Sequence, residues 1–422
     1  MKSTSELDRE LGMDAYASEA PPCRALVRSS RDDFRVDEVV SLEDLSTEAK
    51  AGLYPVYRVE KRSIDTMHME GELSAALGSR VSYGGLKDKK AVTSQYVSAS
   101  SLKSEAPGTV IRPDFDARLV GYLPTPITRG SVLGNRFSII LRECCPKVSE
   151  SISVAFDLAR RRMVPNFFGY QRFGTSGIGT HRIGRAMVKR RFDDAVELML
   201  LRPRESDDEG TKAAREAMAK GDFQGGARLL SPGQDLERKV ALRLARDPED
   251  SIAAMRGVPV KMRRLYVQAY QSYIFNRAVS NAVAGGLDIS AAKQGDNWGE
   301  VGPGGTPDPK VRGARETPED GAIPMVQLAG YAYRDYGSRF DALTSRVMGE
   351  EEVSARDFYI KEMQEVSAEG GFRPAHLLAA DLAFETVGED ASLSFTLSKG
   401  QYATVLLREI IKPADPRESG LA

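Results

Sequence analysis

The amino-acid sequence predicts a protein of mixed α and β structure in which a helix-rich insertion interrupts one strand-rich domain. Residues 53–61 and 391–411 alternate apolar and polar side chains with a period of two, which is typical of strands. Between residues 186 and 372 the pattern is helical, with candidate helices at 192–200, 211–220, 236–246 and 262–284. Because strand patterns flank this segment, we expect one domain built from residues 1–185 and 373–422 and an insertion of residues 186–372.

The first half of the chain contains clear strand and helix signals. Residues 24–40 read as a pair of strands joined by a turn, and residues 137–142 read as a further strand. Helices are predicted over 65–79 and 149–163 from apolar side chains three and four residues apart. Residues 100–131 are interrupted by prolines and glycine, so loops and short strands are expected there.

The last part of the chain has a long segment without periodicity and then a strand signal. Residues 293–324 are rich in Gly and Pro and read as a long loop. Residues 326–331 are a strand candidate, and residues 391–411 alternate throughout: Leu393, Phe395, Leu397, Tyr402, Thr404 and Leu406. We therefore expect strand structure through residue 411.

The composition of the 422-residue chain is that of a soluble globular protein, with 41% hydrophobic and 28% charged residues. The net charge of -1 disfavours a surface that is positive throughout, although it allows a local basic groove. No apolar run is long enough to span a bilayer and the polar start is unlike a secretory signal, so a cytoplasmic location is expected. The three cysteines predict neither a metal site nor a disulfide framework, and Cys144 and Cys145 read as small buried residues.

One short stretch, residues 84–95, combines a flexible turn with concentrated charge. Two glycines allow a sharp turn, and Asp88 follows among three lysines, which would hold its carboxylate ionised. Residues 95–98 then read as a strand. An ionised carboxylate on a tight turn at a sheet edge can serve as a nucleophile or base, although a solvated charged turn has the same pattern.

A second stretch, residues 158–192, holds nine Arg or Lys residues and no Asp or Glu. Surface helices usually mix the two signs, and arginine binds phosphate well, so phosphate contact is favoured over simple solvation. Four aromatic residues lie within the stretch, and basic residues interleaved with aromatic rings suit a nucleic-acid groove. Among these rings, Phe173 is the strongest candidate for a core residue.

Nucleotide-cofactor motifs are absent from the sequence. The stretch from Gly84 to Lys90 lacks the order of a phosphate-binding P-loop, and no dinucleotide fingerprint follows a strand. The three histidines are too scattered to predict a metal site. We therefore expect neither a cofactor nor a metal.

The order Gly-x-Lys-Asp-x-x-Ala-x-Thr-x-Gln, which begins at Gly85, resembles the catalytic motif of the tRNA pseudouridine synthase D family. Five further segments resemble that family in the same order along the chain: FRVDE at 34–38, LGNRF at 133–137, NFFGYQRFG at 166–174, QAYQSYIFN at 268–276 and FTLSKGQYAT at 395–404. Each segment alone is weak evidence, but their joint occurrence over most of the chain is specific.

This resemblance implies an α/β (α+β) fold with a pseudouridine-synthase-like, mixed but mainly antiparallel sheet, flanking helices and the insertion as a second wall of an RNA cleft. It implies isomerisation of a uridine in tRNA to pseudouridine, with uridine 13 as the family's usual target. No atoms are gained or lost in that reaction, which agrees with the absence of cofactor motifs, and we expect the protein to act as a monomer. The base must leave its stack and rotate while detached, so a closed pocket is expected.

The resemblance also implies roles for charged residues. Asp88 would be the catalytic carboxylate, attacking either C6 of the base or C1′ of the sugar. A cation must keep this acid ionised against the effect of burial. Arg28 is the first candidate, because it stands where the family has a basic residue shortly before Phe34, and Lys87 is the second. An exposed strand position is the alternative interpretation of Arg28.

Aromatic and amide side chains would form the rest of the pocket. Phe168 would stack on the base, with Phe167 as the alternative ring. Phe34 and Phe395 would be pocket walls by resemblance, although their periodicity equally predicts core positions. Asn166 would read the uracil edge, since an amide both donates and accepts hydrogen bonds.

Two other functional classes remain compatible with the residues alone. An RNA-binding protein without catalytic activity would use the same basic stretch, but it would not need a carboxylate at Asp88. A phosphate-ester enzyme with Asp88 as a metal ligand would need companion carboxylates, and the motif offers lysines instead. One departure from the family pattern is Ser398, where proline is frequent; it concerns the rim of the pocket rather than the reaction.

Overall fold

The computed structural model describes residues 1–87, 91–100, 105–174, 179–202, 204, 207–302, 305–308, 310–313 and 315–422. Asp88 therefore lies outside the described residues. The strands, in chain order, are β1 Leu26–Val27, β2 Phe34–Val40, β3 Tyr54–Lys61, β4 Val81–Tyr83, β5 Val92–Ala99, β6 Thr109–Arg112, β7 Phe115–Leu123, β8 Val132–Arg142, β9 Trp298–Gly299, β10 Ile323–Leu328, β11 Gly371–Pro374, β12 Ala379–Val387 and β13 Asp390–Ser398.

The main feature is a ten-stranded sheet in the order β12-β13-β8-β2-β5-β3-β7-β6, with β1 added to β8 and β4 added to β5. Of its described pairs, only β2 and β5 run parallel; the others are antiparallel. Strands from both ends of the chain meet in this sheet, since β13 pairs with β8 along residues 391–398. The predicted mixed, mainly antiparallel sheet is confirmed.

The helices are α1 Glu6–Glu10, α2 Thr66–Leu77, α3 Val148–Arg160, α4 Thr180–Val188, α5 Phe192–Leu200, α6 Glu209–Ala219, α7 Phe223–Leu229, α8 Asp235–Leu244, α9 Ser251–Arg256, α10 Val260–Ala284, α11 Arg339–Glu350 and α12 Ala403–Ile411. Helix α2 begins at its N-cap Asp65, whose carboxylate accepts from the Met67 and His68 amides, and it ends at left-handed Gly78. The helices predicted at 65–79, 149–163 and within 192–284 are all present.

Two large apolar clusters organise the packing. One lies between the main sheet and the helices α3 and α12, and it includes Phe137, Phe156 and Phe395. The described members of the other cluster all lie between Ile183 and Ala368. The long helix α10 contributes to both, because its Phe275 and Val279 enter the first and its Tyr270 and Ile274 enter the second. Neighbouring turns of one helix thus join the two cores.

Two local expectations are wrong. Residues 403–411 form helix α12 rather than a strand. The run ATVLLREII is buried on all sides, so its pattern of apolar residues does not distinguish a helix from a strand. Strands β1 and β2 do not pair with each other: each pairs with β8, at residues 141–142 and 132–139 respectively.

Cysteine pairing also differs from the expectation. Cys23 and Cys145 form a disulfide across 122 residues, whereas Cys144 is a buried free thiol as expected. The Cys145 amide donates to the Arg24 carbonyl where β1 continues along β8, and this pairing brings the two sulfurs together. Sequence spacing carries no information on such a long-range approach. None of the described helices combines the length and apolar character needed to cross a membrane.

Candidate active site

The turn that carries the Gly-x-Lys-Asp motif begins against the start of β8. A Cβ atom at Gly84 would collide with Val132 Cγ2 and would lie 3.1 Å from the Thr128 carbonyl oxygen, so only glycine fits there. The turn leaves β4 at Tyr83 and enters β5 at Val92. Because β5 pairs with β2, the motif lies beside the FRVDE strand near the middle of the sheet.

Lys87, the last described residue before Asp88, is held through its side chain by a buried ion pair. Its Nζ lies 2.5 Å from Glu38 Oε1, and the exposed fractions of the two side chains are 9% and 0%. The other oxygen of Glu38 accepts from the Tyr96 amide at 3.1 Å. The charge of Lys87 is therefore balanced by Glu38, which weakens its case as the cation for Asp88.

The main chain of Lys87 is fixed as well. Its amide donates to Thr66 Oγ1 at 2.9 Å, and its carbonyl accepts from the buried ammonium of Lys61 at 3.3 Å. Lys61 also donates to the Ile64 carbonyl at 2.8 Å, and Thr66 donates to Gln95 Oε1 at 3.2 Å. The peptide leading into Asp88 thus starts from a rigid position.

Sequence reasoning missed Lys61 and Thr66 as supports of this turn. Lys61 ends a strand and Thr66 begins a helix, so neither position has a local signal of function. The only available clue was a lysine in a strand whose alternation puts it on the buried side, since lysine is rarely buried without a purpose.

Arg28 lies directly beside the predicted pocket wall. Its guanidinium Cζ is 4.3 Å from the centroid of the Phe34 ring, and its backbone is left-handed with a φ of 62°. Phe34 meets Phe137 edge-on at 6.2 Å, and Phe137 stacks on Phe395 at 5.4 Å. Phe34 and Phe395 are buried core residues, as their periodicity indicated, and their role as pocket walls stays a prediction from the sequence.

Phe167 and Phe168 have different environments. Phe167 is 0% exposed within the core, whereas Phe168 is half-buried. The main-chain amide and carbonyl of Phe168 are both bonded to the side chain of Asn276, at 2.8 and 3.0 Å. Phe168 is therefore the ring that can present a face to a ligand. Phe173 is buried in the core as expected.

Asn166 is buried beneath Phe168, and its amide group is engaged within the protein. Its Nδ2 donates to the Pro374 carbonyl at 3.1 Å, and its Oδ1 accepts from Arg373 at 2.7 Å. In this arrangement the side chain holds the loop, and its contact with a base edge stays a prediction from the sequence. Arg373 was not singled out from the sequence, and no local pattern marks it.

Four segments meet at the end of the sheet where β8 begins. Gly84 lies against Val132, and the Lys399 amide donates to the Leu133 carbonyl at 3.0 Å. Arg373 donates to the Gly400 carbonyl at 2.8 Å and thereby joins this end to Phe168. The motif turn, the closing segment and the aromatic loop therefore line one region.

The basic stretch 158–192 is largely paired with acids from distant parts of the chain. The pairs are Arg161–Asp157, Arg182–Glu10, Arg185–Glu351, Lys189–Glu352, Arg190–Glu362 and Arg191–Asp194. Four basic residues of the stretch, together with Arg202, still line a cavity of about 340 Å³ beside α4 and α5 that Asp194 and Glu197 also line. Because these carboxylates neutralise much of the stretch, its charge serves the fold more than the sequence suggested.

In the described part of the chain, no three His, Cys, Asp or Glu side chains are grouped so that they could hold a metal ion. The reaction without metal or cofactor stays a prediction from the sequence. Within the described site, the charged groups at the motif turn are Lys61, Lys87 and Glu38.

Comparison with known proteins identifies the family. The model of the family described as tRNA pseudouridine synthase D matches residues 10–410. The chain belongs to the tRNA pseudouridine synthase D family. Its members are pseudouridine synthases, so the protein is an enzyme of the isomerase class.

Individual relatives are similar to this chain over its full length. A relative from Pyrobaculum arsenaticum is 30% identical and one from Pyrobaculum aerophilum is 32% identical, each with both chains covered completely. Both are described as candidate tRNA pseudouridine synthase D proteins. The crystal structure of a candidate member of the same family from Methanosarcina mazei matches with a TM-score of 0.80 at 28% identity, covering 97% of this chain and 98% of that one. The predicted fold is thus shared with this family.

Proposed function

We propose that this pseudouridine synthase isomerises a uridine in tRNA, with uridine 13 as the target and Asp88 as the catalytic carboxylate. The observation that carries the proposal is the family match across residues 10–410 combined with a motif turn whose Lys87 is fixed at both its main chain and its side chain. A fixed Lys87 would hold the start of the turn in place before the carboxylate attacks.

The reaction breaks the bond between C1′ of the ribose and N1 of the base and forms a bond between C1′ and C5. C5 gives up its hydrogen as a proton and N1 gains one, so atoms and electrons balance without an external reagent. Asp88 attacks C6 or C1′ and holds the base or the sugar while the base rotates. Phe168 stacks on the extruded base, because its ring is the half-buried one.

The proposed division of the chain has physical support. The members of the second core lie between Ile183 and Ala368, close to the proposed insertion of residues 186–372. Residues 1–185 and 373–422 would form the catalytic domain, and the insertion would form the facing wall of the RNA cleft. The cytoplasmic location and the monomeric state remain predictions from the sequence.

The test is pseudouridine mapping in tRNA after incubation with the wild-type protein and with Asp88→Asn. The variant should form no pseudouridine while it binds tRNA with nearly unchanged affinity. Asp37→Asn is the matched control, because Asp37 pairs with Arg58 on an exposed part of the sheet and its loss should leave turnover intact. Turnover by Asp88→Asn above a few per cent of wild type would exclude the catalytic role, and pseudouridine at a different position would exclude uridine 13.

A further inference from the structure

Two arginines lie close to the ring of Phe168. The Cζ atom of Arg373 lies 4.1 Å from the ring centroid, and the Cζ atom of Arg172 lies 5.7 Å from it. The separation of the two Cζ atoms therefore cannot exceed the sum of these two distances. Arg373 comes from β11 and Arg172 from the turn that follows Phe168. The fold therefore places two like charges at the aromatic ring proposed to stack on the base.

Neither arginine has a carboxylate partner among the described residues. Arg373 donates to the carbonyls of Asn166, Phe167 and Gly400 and to the amide oxygen of Asn166. Arg172 donates to Ser272 Oγ at 3.2 Å and to Gln268 Oε1 at 3.1 Å. The paired arginines of α4 and its neighbours differ in this respect, since each of those meets an acid.

The electrostatics of the pair are unfavourable without a ligand. Burial lowers the pKa of Arg373 to about 10, and the charge of Arg172 acts in the same direction. Burial also lowers the pKa of Arg172, with the charge of Arg129 adding to the effect. Burying like charges close together is costly unless an anion compensates them. Such an arrangement fits a bound anion.

We propose that Arg172 and Arg373 form a phosphate-binding site that grips the backbone phosphodiester next to the flipped uridine. This inference rests on the proposed function, because it takes the anion to be a phosphate of the same nucleotide whose base stacks on Phe168. Arg373 is fixed by its four acceptors and supplies a buried charge behind the ring. Arg172 is half-buried, and it makes the direct contact with a phosphate oxygen.

A salt titration of tRNA affinity tests the contact without requiring turnover. Each phosphate contact contributes roughly 0.7 to 0.9 to the slope of log affinity against log salt. Arg172→Gln should reduce the slope by about that amount, and Arg172→Lys should retain it. The matched control is Arg24→Gln: Arg24 is exposed, pairs with Glu143 at 2.9 Å and lies at the far end of β8, so its slope should equal that of wild type.

A neutral backbone linkage provides a second test. A methylphosphonate is placed on either side of the uridine that pseudouridine mapping identifies, and binding is measured for wild type and Arg172→Gln. Wild type should lose roughly ten- to a hundred-fold in affinity for one of the two linkages, and the variant should lose little. Equal losses in both proteins, or equal salt slopes, would overturn the site.

The two proposals fail in different ways. If wild type forms no pseudouridine in any tRNA, the proposed function fails, and the salt slopes alone decide the phosphate site. If wild type forms pseudouridine but Arg172→Gln has an unchanged slope, the phosphate site is refuted while the function stands. Melting curves of the free variants confirm that each is folded before binding is measured.

Discussion

The buried ion pair of Lys87 and Glu38 fixes the side chain that precedes Asp88, and it is the most informative target for a perturbation. Glu38→Gln removes one charge but keeps an oxygen that can accept from the Tyr96 amide. The Lys87 ammonium, 9% exposed, then remains buried without its counter-charge. Removing one partner of a buried ion pair costs about 3–5 kcal/mol.

Because the protein has two cores, the effect is best measured locally rather than from one global unfolding curve. Amide hydrogen exchange of β5, read from peptides covering residues 92–99, reports the opening of the strand whose Tyr96 amide donates to Glu38. A loss of about 3–5 kcal/mol corresponds to exchange that is faster by roughly a hundred-fold to several thousand-fold. Turnover should fall as well, since the turn no longer has a fixed position.

The double variant Glu38→Gln/Lys87→Met should recover much of the protection, because it leaves neither charge unpaired. The exposed pair Arg24–Glu143 serves as the control, and Glu143→Gln should change exchange by less than about tenfold, since exposed pairs contribute up to about 1 kcal/mol. Unchanged exchange in Glu38→Gln, or additive losses in the double variant, would refute the view that this pair fixes the turn.

Four further outcomes are expected. Arg28→Met should move the acid limb of the pH–rate profile to higher pH, because losing a nearby cation raises the pKa of the catalytic carboxylate; an unmoved limb would exclude Arg28 as its partner. Phe168→Ala should reduce turnover with a small loss of stability, whereas Phe167→Ala should lower the stability of the core around it by about 3–5 kcal/mol, since only Phe167 is fully buried. Amide hydrogen exchange in that core measures both effects, and similar effects of the two variants would contradict this contrast. Burial lowers the pKa of His376 to about 4, so the unfolded state binds more protons than the folded state between pH 6.5 and 4. The free energy of unfolding should therefore fall by about 3 kcal/mol as the pH drops through that window. His376→Gln should flatten this pH dependence, and an identical dependence in the variant would contradict the assignment to His376. Changing the paired residues Arg182, Arg185 and Arg190 together to Gln should reduce the salt slope of tRNA binding by clearly less than about two to three units, the amount that three free phosphate contacts would contribute. A reduction of that full size would show that these arginines leave their carboxylate partners to bind RNA.

For the basic stretch, the role predicted from the sequence differs from the ion pairing seen in the structure. Along the chain, residues 158–192 contain nine cations and no acid, a pattern that favours phosphate binding. In space, six of these cations meet carboxylates, most of them from residues far away in the sequence. Arg172 is an exception, because its neighbours at Phe168 are another arginine and aromatic rings. The electrostatic role of a residue is set by its neighbours in space, which local composition does not reveal.

Local signals determined most of the fold and the identity of the family. The alternation of residues 53–61 and the capped helix at 65–79 depend on short-range periodicity, and the structure reproduces both. The order of the motifs likewise required no structure, because the Gly-x-Lys-Asp pattern and the aromatic segment lie within short stretches of sequence. The structure shows that Phe168 is half-buried and Phe167 fully buried. Two adjacent phenylalanines in a sequence do not show which of them is buried, because the pattern is the same in both cases.

Tertiary structure alone decided how the site is held together. Lys61, Glu38 and Thr66 converge on Lys87 from three different elements, and Arg373 approaches Phe168 from across more than two hundred residues. Helix α12 replaced a predicted strand for a related reason: burial on every side removes the contrast between faces on which periodicity depends. The sequence by itself therefore predicts which residues carry the chemistry of the family. The charges and supports around them follow from long-range packing, because ion pairs and buried hydrogen bonds form between residues that share no local pattern.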